Sequence, residues 1–210
     1  MKRWQDTDPV NLVITGVGGQ GNVLASQLLG QCLVQKELVV TVGETYGASQ
    51  RGGSVMSHLR VSASRQWAPL IPTGRAHMVV GLEPMEALRV LKTYGNPDTV
   101  LLTNTRPIYP LDVIGGAATY PAPEELMGHL EELCREVWTV PATDIALKMG
   151  QPILSNMVML GAIAAMDLGW PLQTDNVRLA LAALLPAKAV DINLAAFEEG
   201  LAKTTRHESA

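Results

Sequence analysis

Short apolar runs separated by turn residues recur through the first two thirds of the chain. Six of them are rich in β-branched and aliphatic residues and lie at 10–15, 38–42, 55–62, 77–81, 99–103 and 137–140. Such runs are typical of strands buried in the middle of a sheet. The third run alternates apolar and polar residues, which predicts a strand with one partly wet face and places His58 at a surface or interface.

Helices are predicted where apolar residues recur every three to four positions. Residues 22–36 have such a stripe, which includes Val34, and residues 123–134 have another. Glu83 followed by Pro84 marks a further helix start. Proline is tolerated in the first turn of a helix, and an acidic residue there suits the helix dipole.

Only helices are predicted from residue 142 onward. Residues 151–168 are apolar on every side, so this helix is expected to be buried all round, under the last two helices or against another subunit. The helix predicted at 174–185 begins at Thr174, a good capping residue, and another helix follows at 191–203.

Alternating strands and helices followed by helices predict an α/β fold. We expect one domain over residues 1–210: an open, mostly parallel, Rossmann-like sheet (about 10–140) with helices on both faces, and a helical C-terminal cluster (about 142–203). Residues 106–123 contain four prolines and a pair of glycines, so they are predicted to be irregular or to hold short edge strands.

Two glycine-containing loops follow the first two predicted strands. Since both strands should end at one edge of a parallel sheet, both loops should lie where open α/β sheets bind ligands and partners. The candidate site residues are therefore Gly16, Gly18, Gly19, Gln20 and Gly21 of the first loop, and Glu44, Tyr46, Ser49, Gln50, Arg51, Gly52, Gly53 and Ser54 of the second.

The first loop fits the G-x-G-x-x-G pattern of dinucleotide sites through Gly16, Gly18 and Gly21. Glycine allows a tight turn, and the N-terminus of the following helix offers N–H groups to an anion. Glu44, just past the second predicted strand, is roughly where such a site keeps its ribose carboxylate. In the second loop, Arg51 can present a planar fork of donors to a carboxylate or phosphate. The same glycines can equally serve packing alone.

Composition excludes several functions. The chain has a net charge of −4 and shows no basic cluster, so nucleic acid is not an expected partner. Its two cysteines, Cys32 and Cys134, are far apart, which predicts buried free thiols rather than a zinc or iron–sulfur site. None of the four histidines is predicted to be catalytic or to bind a metal.

The expected location of the protein is the cytoplasm. The start of the chain lacks the apolar core of a secretory signal, and the longest apolar run, 157–166, is too short to cross a bilayer.

Four segments carry a family resemblance that spans nearly the whole chain. They are GVGGQG at 16–21, ETYGASQRGGSV at 44–55, PATDIA at 141–146 followed by SNMVMLGA at 155–162, and NLAAFEEG at 193–200. With these motifs the chain resembles the gamma-type domain of 2-oxoacid:ferredoxin oxidoreductases, and in particular the small subunit of indolepyruvate ferredoxin oxidoreductase.

The resemblance implies a hetero-oligomer in which this chain holds no cofactor of its own. A large subunit would bind thiamine diphosphate and the iron–sulfur clusters. The complex would convert an arylpyruvate, coenzyme A and oxidised ferredoxin into aryl-acetyl-CoA, carbon dioxide and reduced ferredoxin. The two loops would face the large subunit or the coenzyme A phosphates. Two other interpretations stay open: a free-standing Rossmann-type nucleotide-binding protein, and a purely structural subunit.

Overall fold

The structure is a computed structural model that describes residues 7–46, 53–166 and 168–207. Its strands are β1 (Val10–Val17), β2 (Val39–Tyr46), β3 (Ser54–Ser62), β4 (Met78–Gly81), β5 (Val100–Asn104), β6 (Glu136–Val140) and β7 (Thr205–Arg206). Its α-helices are α1 (Asn22–Val34), α2 (Pro84–Tyr94), α3 (Leu111–Ile114), α4 (Pro123–Glu132), α5 (Ala142–Lys148), α6 (Ser155–Ala165), α7 (Thr174–Leu184) and α8 (Ala187–Lys203). A 3₁₀ turn, Pro152–Leu154, precedes α6.

The seven strands form one open sheet in the order β2-β3-β1-β4-β5-β6-β7. β1, β4, β5 and β6 pair in parallel, whereas β3 is antiparallel to both β1 and β2, and β7 is antiparallel to β6. Five of the seven strands therefore run in one direction. The predicted α/β class with a mostly parallel open sheet is confirmed.

The position and direction of β3 were not predicted from the sequence. β3 inserts between β1 and β2 and reverses direction, so the first two glycine loops belong to strands two places apart. β2 and β1 still point the same way, because each is antiparallel to β3. Both strands consequently end at the same edge of the sheet, as predicted.

Side chains from alternate sheet positions build two cores. One core packs Leu12 and Ile14 of β1 against α1, α6, α7 and α8. The other packs Val13 of β1 and Leu101 of β5 against α2 and α4. Helices thus cover both faces, and the C-terminal helices gather on the face that carries α1.

Three predictions about helix faces and ends are changed by the structure. In α1 the buried face runs through Ala25, Leu28, Leu29 and Cys32, whereas Val34 is 54% exposed. The N-cap of α7 is Gln173 rather than Thr174, since Gln173 and Asn176 form a reciprocal capping box. A strand also follows the last helix: β7 pairs with β6, so the region after residue 142 is not purely helical.

His58 lies in the interior instead of at the surface. Its side chain is fully buried, and its ring meets Tyr94 edge-on with 5.0 Å between centroids. The segment after β3 covers this face of the sheet, where Ile71 and Ala76 join the core and Arg60 donates to the carbonyl of Ala68. β3 therefore has no wet face, which corrects the prediction from its alternating pattern.

The all-apolar helix α6 is buried within this chain, as its composition predicts. Residues 155–163 are all buried, and α8 crosses directly over them. The crossing is close because it is made of glycines: a side chain at Gly161 would collide with the carbonyl of Phe197, and one at Gly200 with that of Val158. No helix among the described residues is both long and apolar enough to span a bilayer.

Candidate functional site

The two glycine loops meet at the edge where β1 and β2 end. The N–H of Gly18 donates to the carbonyl of Gly53 at 2.8 Å, immediately before β3 begins at Ser54. The predicted juxtaposition of the loops is therefore present for these residues. Ser49, Gln50, Arg51 and Gly52 lie outside the described residues, and Tyr46 is described only as the last backbone position of β2.

Gln20 fills the crevice between β1 and β4. This crevice is a topological switch point, because the helix after β1 packs on one face of the sheet and the helix after β4 on the other. Oε1 of Gln20 accepts from the N–H of Val17 at 2.7 Å, and Nε2 donates to the carbonyl of Leu82 at 2.9 Å. Gln20 is only 8% exposed, and its amide bridges the ends of β1 and β4 at the place where such folds bind nucleotides.

Gly16 and Gly21 are packed against side chains rather than left open to a ligand. A Cβ at Gly16 would lie 2.9 Å from that of Leu82. Gly21 has a φ of +82° and accepts from Nδ2 of Asn156 at 3.3 Å, and a side chain at Gly21 would collide with that amide. Two glycines of the G-x-G-x-x-G pattern are thus explained by packing within the chain.

Gly19 is the exposed point of the loop. It has a φ of +103°, and a Cβ built there would meet nothing within 4 Å. Beside it, α1 begins without a side-chain cap. The first N–H groups of a helix lack intrahelical partners, so this turn presents backbone donors and positive potential next to an open surface.

Glu44 differs from its predicted position relative to the second strand. It lies within β2 instead of past its end, is half-buried, and is in register with Ser57 of β3. Because β3 separates β2 from β1, two strand spacings of roughly 4.8 Å each stand between Glu44 and the glycine strand. Its neighbour Ser57 accepts from Nδ2 of Asn22 at 3.2 Å, so Glu44 lies one residue pair away from the start of α1.

Asn104, which the sequence did not single out, organises the neighbouring strand ends. Its Nδ2 donates to the carbonyl of Leu82 at 3.1 Å and to Oγ1 of Thr143 at 2.8 Å, and its Oδ1 accepts from the N–H of Thr143. Gln20 and Asn104 thus share one carbonyl and tie β4, β5 and α5 together. The sequence signal that could have identified Asn104 is a polar residue at the end of an apolar strand.

Glu83 is a buried carboxylate at the end of β4. It caps α2 by accepting from the N–H of Glu86 at 2.8 Å, and it accepts from the Tyr120 hydroxyl at 2.6 Å. Burial raises the pKa of Glu83, while the bonds from Tyr120 and Glu86 oppose that rise. Burial and the nearby Glu83 raise the pKa of Tyr120 as well. This pair anchors residues 105–122 to the sheet.

Apolar side chains stand exposed around the same edge. Leu147 of α5 is 43% exposed, and Ile153, which lies against Gly21, is 45% exposed. Ile108 and Tyr109, next to Glu83, are 38% and 52% exposed. Exposed apolar side chains that form a contiguous patch are typical of a protein interface, so these residues are candidates for one.

The two cysteines cannot share a cluster. Cys32 belongs to the core on one face of the sheet and Cys134 to the core on the other, and both are free. Burial raises the pKa of Cys32 to about 12 and that of Cys134 to about 11, so both are unreactive thiols. In the described parts of the chain, no three metal-binding side chains come together.

The family model of pyruvate ferredoxin/flavodoxin oxidoreductase matches residues 11–203, which include both glycine loops and the C-terminal helices. The chain belongs to this family. It is 37% identical over 190 residues to the indolepyruvate oxidoreductase subunit IorB of Methanothermobacter thermautotrophicus, covering 90% of this chain and 95% of that subunit.

Solved structures of this oxidoreductase family share the fold. The pyruvate oxidoreductase subunit PORC of Thermotoga maritima matches with a TM-score of 0.69 at 21% identity, over 96% of this chain and all of that one. A 2-oxoglutarate:ferredoxin oxidoreductase of Magnetococcus marinus matches with a TM-score of 0.70 at 18% identity. There the match covers 93% of this chain but only 31% of the other, so the fold occurs both as a separate subunit and inside a longer chain. The resemblance drawn from the sequence motifs is confirmed.

Proposed function

We propose that this chain is the subunit without cofactors of a 2-oxoacid:ferredoxin oxidoreductase that acts on an arylpyruvate such as indolepyruvate. The similarity to IorB subunits over 90% of the chain supports the substrate class. In the proposed reaction the 2-oxoacid loses carbon dioxide, its acyl group forms a thioester with coenzyme A, and two electrons reduce ferredoxin. Thiamine diphosphate and iron–sulfur clusters of a large subunit supply this chemistry.

The observation that carries the proposal is the closed crevice at Gln20. A nucleotide-binding member of this fold class keeps the switch point open, whereas here Val17, Gln20 and Leu82 fill it with internal hydrogen bonds. The glycine edge then presents a short backbone turn at Gly19 and apolar side chains such as Ile153. Such a surface suits docking of another polypeptide rather than binding of a nucleotide by this chain.

The cysteines on opposite faces do not fit an iron–sulfur cluster, so no electron-transfer step belongs to this chain. Its own contribution is to cover the large subunit's active-site mouth. Coenzyme A is a further candidate ligand at this interface, because the uncapped start of α1 beside Gly19 offers donors to a phosphate. The relative from Magnetococcus marinus was solved with coenzyme A bound. We place the complex in the cytoplasm, where coenzyme A and ferredoxin are available and buried thiols stay reduced.

Co-expression with the large subunit tests the docking. Leu147→Asp and Ile153→Asp should each lower the amount of large subunit recovered with this chain by at least tenfold, because a charge would be buried at the interface. The matched control is Leu179→Asp, since Leu179 is 65% exposed on α7. Equal recovery with all three variants would rule out the glycine edge as the docking surface.

Steady-state kinetics of the assembled complex test the coenzyme A contact. Arg51→Ala should raise the KM for coenzyme A, because a charged donor near the phosphates would be lost. Arg65→Ala is the control, as Arg65 follows β3 at the opposite edge of the sheet and stacks on Trp67 at 4.0 Å. An unchanged KM, turnover and assembly in Arg51→Ala would remove this residue from the proposal.

A further inference from the structure

A cavity lies beside the glycine edge, and the exposed Tyr109 belongs to its lining. Its floor is the ends of β5 and β6, one wall is α4, and its outer wall comes from residues 105–122, the proline-rich segment that follows β5. Its volume is about 320 Å³, at the lower end of the range for small-molecule sites, which starts at roughly 300 Å³. We call it the proline–tyrosine pocket.

Proline and tyrosine rings form a large part of the pocket lining. Four prolines and two tyrosines contribute to it, together with Leu126, Met127 and Leu130 of α4. Tyr109 and Tyr120 meet edge to face, with ring centroids 5.2 Å apart and planes at 84°. Two rings at right angles present one ring face and one ring edge side by side. A further aromatic ring can stack on the face with an offset or meet the edge in a T shape, and both packing geometries are favourable.

The charges around the pocket disfavour an anion. Among the described residues, no aspartate, glutamate, lysine or arginine lines it, and His207 is its one titratable group apart from the tyrosines. His207 is already 3.2 Å from a Glu131 oxygen. The Glu83 carboxyl lies behind Tyr120 and accepts a hydrogen bond from its hydroxyl. Apart from His207, which already lies against Glu131, a carboxylate or phosphate would find no basic side chain in the lining and would approach a buried acid.

The pocket is open to solvent, and hydrogen bonds hold its walls in position. Tyr109 is 52% exposed, so a ligand can reach the tyrosine pair from solvent. Tyr120 is fixed by its 2.6 Å bond to Glu83, and the pocket floor is fixed by Asn104, which also donates to the carbonyl of Arg106 at 3.3 Å. A site whose walls are already positioned loses little entropy when a ligand binds.

We propose that the proline–tyrosine pocket binds a small uncharged aromatic molecule of indole or phenol type. The pocket's threonine hydroxyls, including Thr105 and Thr139, offer hydrogen-bond partners to a ring N–H or O–H. The inference rests on the pocket alone and does not depend on the large subunit, because the full chain by itself contains every residue that lines it.

Saturation-transfer NMR of the full chain with indole tests the proposal, with indole-3-acetate as the anionic counterpart. Indole should bind saturably, and indole-3-acetate several-fold more weakly. Tyr109→Ala should weaken indole binding by about two- to tenfold, the size of a lost aromatic pair. Met127→Trp, which fills the pocket from α4, should abolish binding. Leu179→Ala, remote on α7, is the matched control and should bind as the parent does.

Three outcomes would overturn the proposal: no saturable binding, equal affinity for the two ligands, or equal loss in Tyr109→Ala and Leu179→Ala. The same titration on the complex with the large subunit separates a free ligand from a partner side chain. Retained indole binding supports a small-molecule site. Binding that vanishes on assembly assigns the pocket to a side chain of the partner and contradicts the proposal. Failure of these tests leaves the docking of the glycine edge untouched, since that is measured by recovery of the large subunit.

Discussion

The side chain of Gln20 provides the polar contacts that a bound ligand provides at the switch point of other open α/β sheets. It satisfies the N–H of Val17 and the carbonyl of Leu82, both next to the crevice. Gln20→Ala would remove the partner of the Val17 N–H and leave the Leu82 carbonyl with Asn104 alone, so the free energy of unfolding should fall by about 1–3 kcal/mol. Urea denaturation would measure the change. Gln27→Ala, at an exposed position on α1, is the control; equal losses in both variants would contradict the role of Gln20.

Burial of His58 makes the stability of the folded chain sensitive to acid, which its position in an alternating strand pattern did not predict. Neither ring nitrogen has a hydrogen-bond partner among the described residues, and burial lowers its pKa. The pKa of His77 is lowered too, by burial and by Arg75. A lowered histidine pKa means that the folded state binds fewer protons than the unfolded chain. Stability is therefore full above the unfolded pKa, about 6.5, and is lost as the pH falls below it.

Replacing His58 tests this pH dependence. His58→Phe keeps a ring against Tyr94 and removes the titrating group. The unfolding free energy of the parent should decrease between about pH 7 and about pH 5, and the decrease should be smaller in the variant by at most about 1.4 kcal/mol per pH unit. Chemical denaturation at several pH values supplies the measurement. Identical slopes in parent and variant would show that His58 does not contribute.

At the scale of elements, the contact of α6 with α8 is the tightest in the C-terminal cluster. Gly161→Ala would drive a methyl group into the backbone of α8 at Phe197, which cannot move as a flexible side chain could. We expect a loss of at least about 1–3 kcal/mol, the usual cost of overpacking. Gly128→Ala is the matched helical control, because a Cβ there meets nothing within 4 Å, and it should stabilise α4 by about 0.5–1 kcal/mol. Thermal unfolding of both variants distinguishes the two effects, and equal melting temperatures would contradict the close crossing.

The elements also show what the sequence could predict. Periodicity located the strands and most helices, since burial on a sheet face imposes it. It could not report the direction of β3. The predicted strands at 38–42 and 55–62 leave twelve residues between them, which is enough for a parallel crossover. In the structure β2 extends to Tyr46, and the seven residues that remain favour an antiparallel pair. β7 has two residues and follows its partner β6 by more than sixty positions, so no local pattern could reveal it.

For the candidate site too, the sequence predicted some features and could not predict others. The glycine loops were predicted to share an edge, and Gly18 and Gly53 do meet there. The contributions of Gln20 and Asn156 depend on which side chains fold back onto the loop, and that is decided by the register of β1 with β4 and by the placement of α6. Glu44 lies within β2, because the strand predicted at 38–42 extends to Tyr46 in the structure. The G-x-G-x-x-G pattern alone cannot tell a phosphate cradle from a packed turn.

At the scale of the whole molecule, the bridging amide of Gln20 and the exposed apolar side chains support the proposed docking role over nucleotide binding. A ligand that binds only the folded chain stabilises it, by about 2.7 kcal/mol at a hundred times its dissociation constant. We therefore expect NAD(P), FAD and ADP to leave the melting temperature of the isolated chain unchanged, while the large subunit raises it. Differential scanning calorimetry measures both effects. Saturable stabilisation by a dinucleotide would mean that the amide of Gln20 gives way to a ligand, and the docking function would then lose its principal support.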